Sequence, residues 1–322
     1  MCKHIYAVKF SQELRQEVQA KRKPIVLEPV SITQCQFCGS SKLRKFGVRH
    51  NKSGDLQRFL CEFCKRTFSV NIAFEKMKHN PQAVTTAMQL YFSGESLRNT
   101  QKSMRLLGVQ VSYQTIWNWI DKYVSLMKEY ADKIHPEVSD VWRTDEMYVK
   151  MKGDKKWLFA VMDDQTRFWI SQQVAEKKGT SDIRPVMREA KRLAGKHPDT
   201  IVSDGAHNFG VAIVEEFPNA KHTREITLSG TVHNNKMEAM NGEIWSREKV
   251  MRGLKIEETP ILPGMQIFHN FIRPHTGLKG STPAEKAGIE IKGDNKWKTL
   301  IENTKVNQES RPQKKGSVED FV

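Results

Sequence analysis

Three acidic residues stand in settings that suit chemistry. Asp145 lies in Trp142-Arg143-Thr144-Asp145-Glu146-Met147-Tyr148, Asp204 in Ser203-Asp204-Gly205-Ala206, and Glu238 in Asn234-Asn235-Lys236-Met237-Glu238. An acidic residue inside an apolar strand is costly to bury unless it is paired or coordinates a cation. Neighbouring strand residues point to opposite faces, so at most one of Asp145 and Glu146 is expected to enter a given site. Asp204 follows the strand-like Ile201-Val202-Ser203, and the C-terminal ends of strands are where open α/β sheets commonly hold ligands. Glu238 falls in a stretch read as a helix, with Asn234, Asn235, Asn241 and Trp245 within one or two turns on its side. Glu243 points about 140° away at 3.6 residues per turn and is the poorer candidate.

A second constellation is built from thiols. Cys35-Gln36-Phe37-Cys38 is followed after 22 residues by Cys61-Glu62-Phe63-Cys64, and the insert carries Lys42, Arg44, Lys45, Arg49, Lys52 and Arg58. Two such pairs let four thiolates converge in a tetrahedron on Zn2+, which can hold together a segment too short for its own core. A closed site of four thiolates has no open coordination position, so a structural zinc module over residues 35–70 is expected, with no chemistry of its own.

These residues need elements to position them. Residues 1–34 are polar, with a basic cluster at Lys21-Arg22-Lys23, and read as an arm or irregular lead-in. Helical periodicity begins at Pro81 and stops at Gly94, then runs from Leu97 to Leu107 and stops at Gly108. Ser112 can cap a third helix in which Ile116, Ile120, Tyr123 and Met127 share one face. Three short helices over residues 80–130 fit a helix-turn-helix, which would offer Tyr113, Gln114, Thr115 and Asn118 to a DNA major groove. An ordinary helical bundle is the competing reading, and Trp117 and Trp119 are read as packing residues.

Beyond Pro136 the texture becomes mixed. Val141–Lys150, Lys156–Asp163 and Arg167–Val174 are strand-like, with Gly153-Asp154 as a hairpin signal. Ile183–Leu193 reads as a helix, Thr200–Ser203 as a short strand and His207–Phe217 as a helix, giving an α/β domain over residues 138–290. From about Ile291 the chain is polar, ending in Arg311-Pro312-Gln313-Lys314-Lys315, and residues 291–322 read as a tail.

The 322 residues suffice for more than one domain. The formal charge of +15, from 52 Lys and Arg against 37 Asp and Glu, makes nucleic acid the first partner to test. The first 30 residues show no secretory signal, and no window approaches the roughly 20 apolar residues that span a bilayer, so a soluble, cytoplasmic, nucleoid-associated protein is expected.

Taken with their order along the chain, these motifs resemble the Asp-Asp-Glu core of insertion-sequence transposases, particularly the family-six group and its archaeal relatives. The resemblance rests on the strand around Asp145, the Ser203-Asp204-Gly205-Ala206 turn, 33 residues, and Asn234-Asn235-Lys236-Met237-Glu238. A closing block, Asn270-Phe271-Ile272-Arg273-Pro274-His275 with Thr282-Pro283-Ala284-Glu285, adds to it. It implies an RNase H-like α/β catalytic domain preceded by a zinc ribbon and an all-α helix-turn-helix. It also implies two Mg2+ ions, with Mn2+ as substitute, and binding to double-stranded DNA at terminal inverted repeats and at a target. Asp145 would be the ligand shared by both ions, with Asp204 and Glu238 holding one each.

Synapsis of two DNA ends would call for a homodimer or higher assembly. Relatives often carry Lys or Arg seven residues after the glutamate, where this chain has Trp245; Arg247 and Lys249 are near enough to contact phosphate. His207, His222 and His233 flank the second and third acidic motifs and are read as surface or hydrogen-bonding groups. Arg273 and His275 are read as packing or DNA-backbone contacts. The alternative to a transposase is a derived DNA-binding regulator that no longer cuts.

Overall fold

The computed structural model describes residues 24–51, 54–69, 73, 74, 77–204, 206–224, 235–256 and 258–309. The basic cluster Lys21-Arg22-Lys23, Lys52, Gly205, His233, Asn234 and the Arg311–Lys315 run lie outside them. Strand β1 (Ile25–Leu27) pairs in parallel with β10 (Ile289–Ile291). Residues 25–27 are thus part of a sheet, which corrects the reading of residues 1–34 as an irregular lead-in. Three residues carry no detectable period, and their partner lies far along the chain.

A small antiparallel sheet follows, in order β2 (Leu43–Asn51), β3 (Gly54–Cys61) and β4 (Thr67–Phe68). Its core consists of Cys35, Cys61 and Phe68, with Ile32, Leu43, Phe59 and Cys64 packed around them. So little apolar surface cannot offset the conformational entropy of ordering the segment.

The helices α1 (Pro81–Phe92), α2 (Leu97–Leu106) and α3 (Tyr113–Ala131) each start on a capping side chain. Asn80 Oδ1 accepts from the Ala83 N–H at 2.6 Å, Ser96 Oγ from Asn99 at 3.1 Å and Ser112 Oγ from Thr115 at 3.1 Å. Each such cap contributes roughly 1 kcal/mol. Gly94 (φ 137°) and Gly108 (φ 78°) make the turns, in backbone regions that L side chains rarely enter.

The largest sheet has five strands in the order β7-β6-β5-β8-β9. β5 (Val141–Met151) and β6 (Asp154–Asp163) form a hairpin closed by Lys152 and Gly153, whose positive φ values of 53° and 101° suit a two-residue type I′ turn. β7 (Trp169–Ala175) continues the meander antiparallel to β6. After helix α4 (Thr180–Ala194), β8 (Thr200–Ser203) returns parallel to β5. After α5 (His207–Glu216), β9 (Lys221–Arg224) adds parallel to β8. A three-strand meander followed by two parallel strands through helical crossovers is the RNase H-like arrangement, in a mixed α/β domain. Helix α6 (Asn235–Met251) lies along β5, and the described residues finish with α7 (Ile261–Ile267), a π turn (Phe268–Ile272), α8 (Pro283–Lys286), β10 and α9 (Lys296–Glu309).

Helix α9 corrects the tail expected over residues 291–322. Trp297, Leu300 and Ile301 are buried, and the Trp297 ring stacks 5.6 Å from Phe92 and 6.2 Å from Phe268. The polar average of the segment hides an apolar stripe at i, i+3 and i+4. The three-helix region and the five-stranded domain share one apolar core rather than two. Gly264 of α7 sits where the two meet: a Cβ there would lie 2.2 Å from Phe92 Cζ and 3.0 Å from Val124 Cγ2. Gly264→Ala is therefore expected to destabilise the protein by about 1–3 kcal/mol through overpacking. The check is its melting temperature, and an unchanged value would show that Phe92 has room to yield.

Candidate active site

β5 and β8 pair in parallel at Val141↔Thr200, Trp142↔Ile201 and Arg143↔Val202. Continuing that register past the end of β8 sets Asp145 beside Asp204. Carboxylate oxygens of Asp145, Glu146 and Asp204 all lie within 4.8 Å of one another. The expectation that strand alternation admits only one of Asp145 and Glu146 is thereby corrected. β8 ends at Ser203, so the β5 edge beyond it is open, and side chains from both faces can reach over that edge toward Asp204.

Burial, reinforced by the neighbouring Asp204 and Glu146 charges, pushes the Asp145 carboxyl up to about 7. Asn241 Nδ2 donates to Asp145 Oδ2 at 2.8 Å and partly offsets that rise. Glu146 is likewise raised, first by burial and then by Asp204, while Lys178, 3.8 Å away, opposes the shift. Glu146 Oε2 is buried with no hydrogen-bond partner among the described residues. Asp163 provides the contrast. It is fully buried, yet its two oxygens accept from Ser139 N (2.7 Å) and Oγ (2.5 Å) and from Thr166 N and Oγ1 (both 2.7 Å). Three hard oxygen donors, two raised carboxyls and one orphaned buried oxygen fit a divalent cation, which stabilises the ionised forms.

Helix α6 is pinned along β5. At one end the Lys236 ammonium donates to Asp164 Oδ1 at 2.7 Å, and Arg143 Nε donates to the same oxygen at 2.5 Å. At the other, Glu248 accepts from the Lys150 backbone N–H. Met237, Met240, Ile244 and Arg247 are buried between. Glu238 is exposed one turn before Asn241, on the flank that carries Asn241 toward Asp145, and it stands outside the group of three carboxylates. Glu243 is turned away and pairs with Arg273. Asn241 was noticed in the sequence only as a neighbour of Glu238; its contact with Asp145 follows from the lie of α6 on the sheet.

Among the residues expected to meet DNA, Tyr113, Gln114 and Asn118 are exposed at the start of α3, and Thr115 is half-buried. The Arg98 guanidinium lies 4.9 Å from the Tyr113 ring centroid, and Gln114 Nε2 donates to Asn118 Oδ1 at 3.1 Å. Lys249 is exposed beside Trp245. Arg247 is not available to phosphate, which corrects that expectation. It is buried, donates to the Glu95 carbonyl at 3.3 Å and lies 4.8 Å from the Tyr91 ring centroid. Its position on α6 is set by the three- and four-residue spacing that also buries Met240, Ile244 and Met237. His222 bonds Ser203 Oγ at 2.8 Å, and His275 is buried against the His269 carbonyl at 3.2 Å. His207 is exposed.

The four cysteines converge as well, their sulfurs all within 4.8 Å of one another. Each pair ends in a left-handed residue, Gly39 (φ 72°) and Lys65 (φ 57°), whose N–H returns to the carbonyls of Cys35 (2.8 Å) and Cys61 (3.0 Å). The backbone N–H groups of Cys64 and Phe63 draw the Cys61 thiol down, while burial and the neighbouring thiols push its partner Cys38 up, as expected of four sulfurs crowded together without a cation.

Residues 139–275 match the family DDE_Tnp_IS240, described as a DDE domain. Over 169 residues the chain is 24% identical to the transposase for the insertion sequence-like element IS431mec of Staphylococcus aureus, covering 51% of this chain and 73% of that one. Over 170 residues it is 23% identical to an insertion element ISM1 protein of 48.3 kDa from Methanobrevibacter smithii, covering 48% of this chain and 42% of that one. Among solved structures it is similar to the HTLV-2 integrase catalytic core domain, at 16% identity and a TM-score of 0.35, over 48% of this chain and 98% of that one. Residues 139–275 are thus similar to a DDE domain, and the relatives they match include transposases of insertion sequences.

The raised Asp145 carboxyl fixes a pH dependence. A carboxyl that moves from its ordinary 3.8 up to about 7 on folding adds stability in full below its unfolded value, and that contribution is lost as pH rises through about 7. Metal-free Asp145→Asn protein should therefore melt higher than the wild type at about pH 8, with the difference shrinking toward about pH 5. A difference independent of pH would remove Asp145 as its source.

Proposed function

We propose that this protein is the transposase of an insertion sequence, cutting DNA at the element's terminal inverted repeats and joining the freed ends to target DNA. The observation that carries the reading is the meeting of Asp145, Glu146 and Asp204 at the end of β8, inside the segment that matches a DDE domain. Asp145, Asp204 and Glu238 would hold two Mg2+ ions, or Mn2+ in their place, with Asp145 as the shared ligand. Glu146, with its orphaned oxygen, is an additional candidate ligand. Such ions supply neutralisation of charge on the attacking and leaving oxygens of an in-line displacement. Asn241 holds the Asp145 carboxylate in place through its 2.8 Å bond, and Lys178 puts a positive charge beside Glu146 for a phosphate to meet. Glu238, exposed on the flank of α6 outside that group of carboxylates, would close the third side once the ions are bound.

The amino-terminal modules recognise the DNA ends. Tyr113, Gln114, Thr115 and Asn118 enter a major groove, and Lys249 contacts the backbone. Cys35, Cys38, Cys61 and Cys64 hold a structural Zn2+ that supplies the stability their small core lacks. Two ends must be brought together, so the working form is a homodimer or larger assembly. A regulator that has lost its chemistry is not favoured, because the clustered carboxylates, two of them half-buried, would then repel one another with no compensating cation.

Purified protein with Mg2+ or Mn2+ and its element's end sequences is expected to nick and join strands. Asp145→Asn should lower that activity by at least about 10³-fold with DNA binding retained, and strand transfer by this variant would remove Asp145 from the site. Cys61→Ser should unfold the zinc module and weaken end binding before it touches cleavage of bound DNA. Normal end binding by that variant, measured by gel shift, would argue against the zinc.

A further inference from the structure

The carboxylates are flanked by exposed aromatic rings, each paired with a lysine. Trp245 is 55% exposed, four residues after Asn241 and so one turn along the flank of α6 that reaches Asp145. The Lys249 ammonium lies 4.6 Å from its ring centroid. On the other side, Tyr148 is 48% exposed and shares a strand face with Glu146, two residues earlier. Its ring lies 3.8 Å from that of Trp157, with Lys155 5.4 Å from the Tyr148 centroid and Lys178 4.7 Å from that of Trp157. Lys178 is also the ammonium beside Glu146.

We infer that Trp245 and Lys249 form a binding site for one unpaired nucleobase and its phosphate next to the bond being cut. This rests on the reading of the protein as a DNA-cutting transposase. An exposed indole loses little on folding and gains its partner only when a flat π face arrives, and base stacking is tolerant of sequence because every base has one. The neighbouring ammonium neutralises the phosphate that must come with the base. A paired duplex presents base edges rather than faces to such a ring, so occupation requires the nucleotide to leave the helix. The Tyr148–Trp157 pair offers a second aromatic surface on the face of β5 that carries Glu146.

The test uses the full chain carrying Asp145→Asn, so that DNA stays intact. It is titrated at fixed salt with a paired duplex and with the same duplex bearing one unpaired 2-aminopurine. The unpaired duplex should bind roughly tenfold more tightly, with the probe's emission quenched on stacking. Adding Trp245→Ala should abolish the preference and the quenching with little change on the paired duplex, and Trp245→Phe should retain part of both. A preference that survives Trp245→Ala, or none before it, overturns the inference. Equal loss on both duplexes together with dissociation of an oligomer in sedimentation also overturns it and assigns the indole to contact between copies. Strand cleavage by the wild-type chain is scored separately. Base discrimination without cleavage keeps the site and removes the transposase, and cleavage indifferent to Trp245 does the reverse.

Discussion

The parallel register of β5 against β8 forces three carboxylates into one place, and much of the fold serves to hold them there. Burial raises the proton affinity of Asp145 and Glu146, and the Asp204 charge beside them adds to the effect. The register persists because it is set by Trp142, Ile201 and Val202, all buried beneath the site, and not by the acids themselves. α6 then crosses the open edge, fastened by the Arg143–Asp164–Lys236 bridge at one end. The site is therefore a stored repulsion on a rigid base, an arrangement that a divalent cation relieves.

The same helix carries the coupling to the rest of the molecule. Arg247 leaves α6 on its buried face and reaches the Glu95 carbonyl in the turn between α1 and α2, with its guanidinium beside the Tyr91 ring. Burial pushes the Tyr91 phenol up to about 12 and holds Arg247 below its usual range. Tyr91 also donates from its hydroxyl to Met251 Sδ at 3.2 Å. With Gly264 allowing Phe92 and Val124 against α7, and Trp297 stacked on Phe92, the exposed start of α3 is held at a fixed distance from the acids. On the proposed reading, a DNA segment read by α3 would meet the carboxylates at a set spacing, because one apolar core joins the two.

The strands, helix starts and thiol pairs were legible because they depend on local rules. Strand-forming Trp, Val, Tyr and Phe around Gly153-Asp154 marked β5 and β6, Ser112 marked α3, and the two Cys-x-x-Cys pairs marked the metal module. Asp145 stood out because a carboxylate inside an apolar strand is expensive unless it has work to do, and Asp204 because it follows a strand's C-terminal end, where open sheets hold ligands. By itself the sequence thus determined the kinds of element, their order and the candidate acids.

Tertiary structure decided which side chains meet. Alternation along one strand admitted only one of Asp145 and Glu146, but where β8 stops the edge opens to both, and that depends on a second strand's length. Arg247 read as a surface cation because its charge was visible and the α1–α2 turn that buries it was not. Residues 25–27 and 296–309 were missed for the same reason: β10, the partner of the first, and Gln89, which accepts from Trp297 in the second, lie more than two hundred residues away, and only packing brings them together. Local periodicity fixes which face of an element is apolar; contact between distant elements fixes what that face, and every charge beside it, touches.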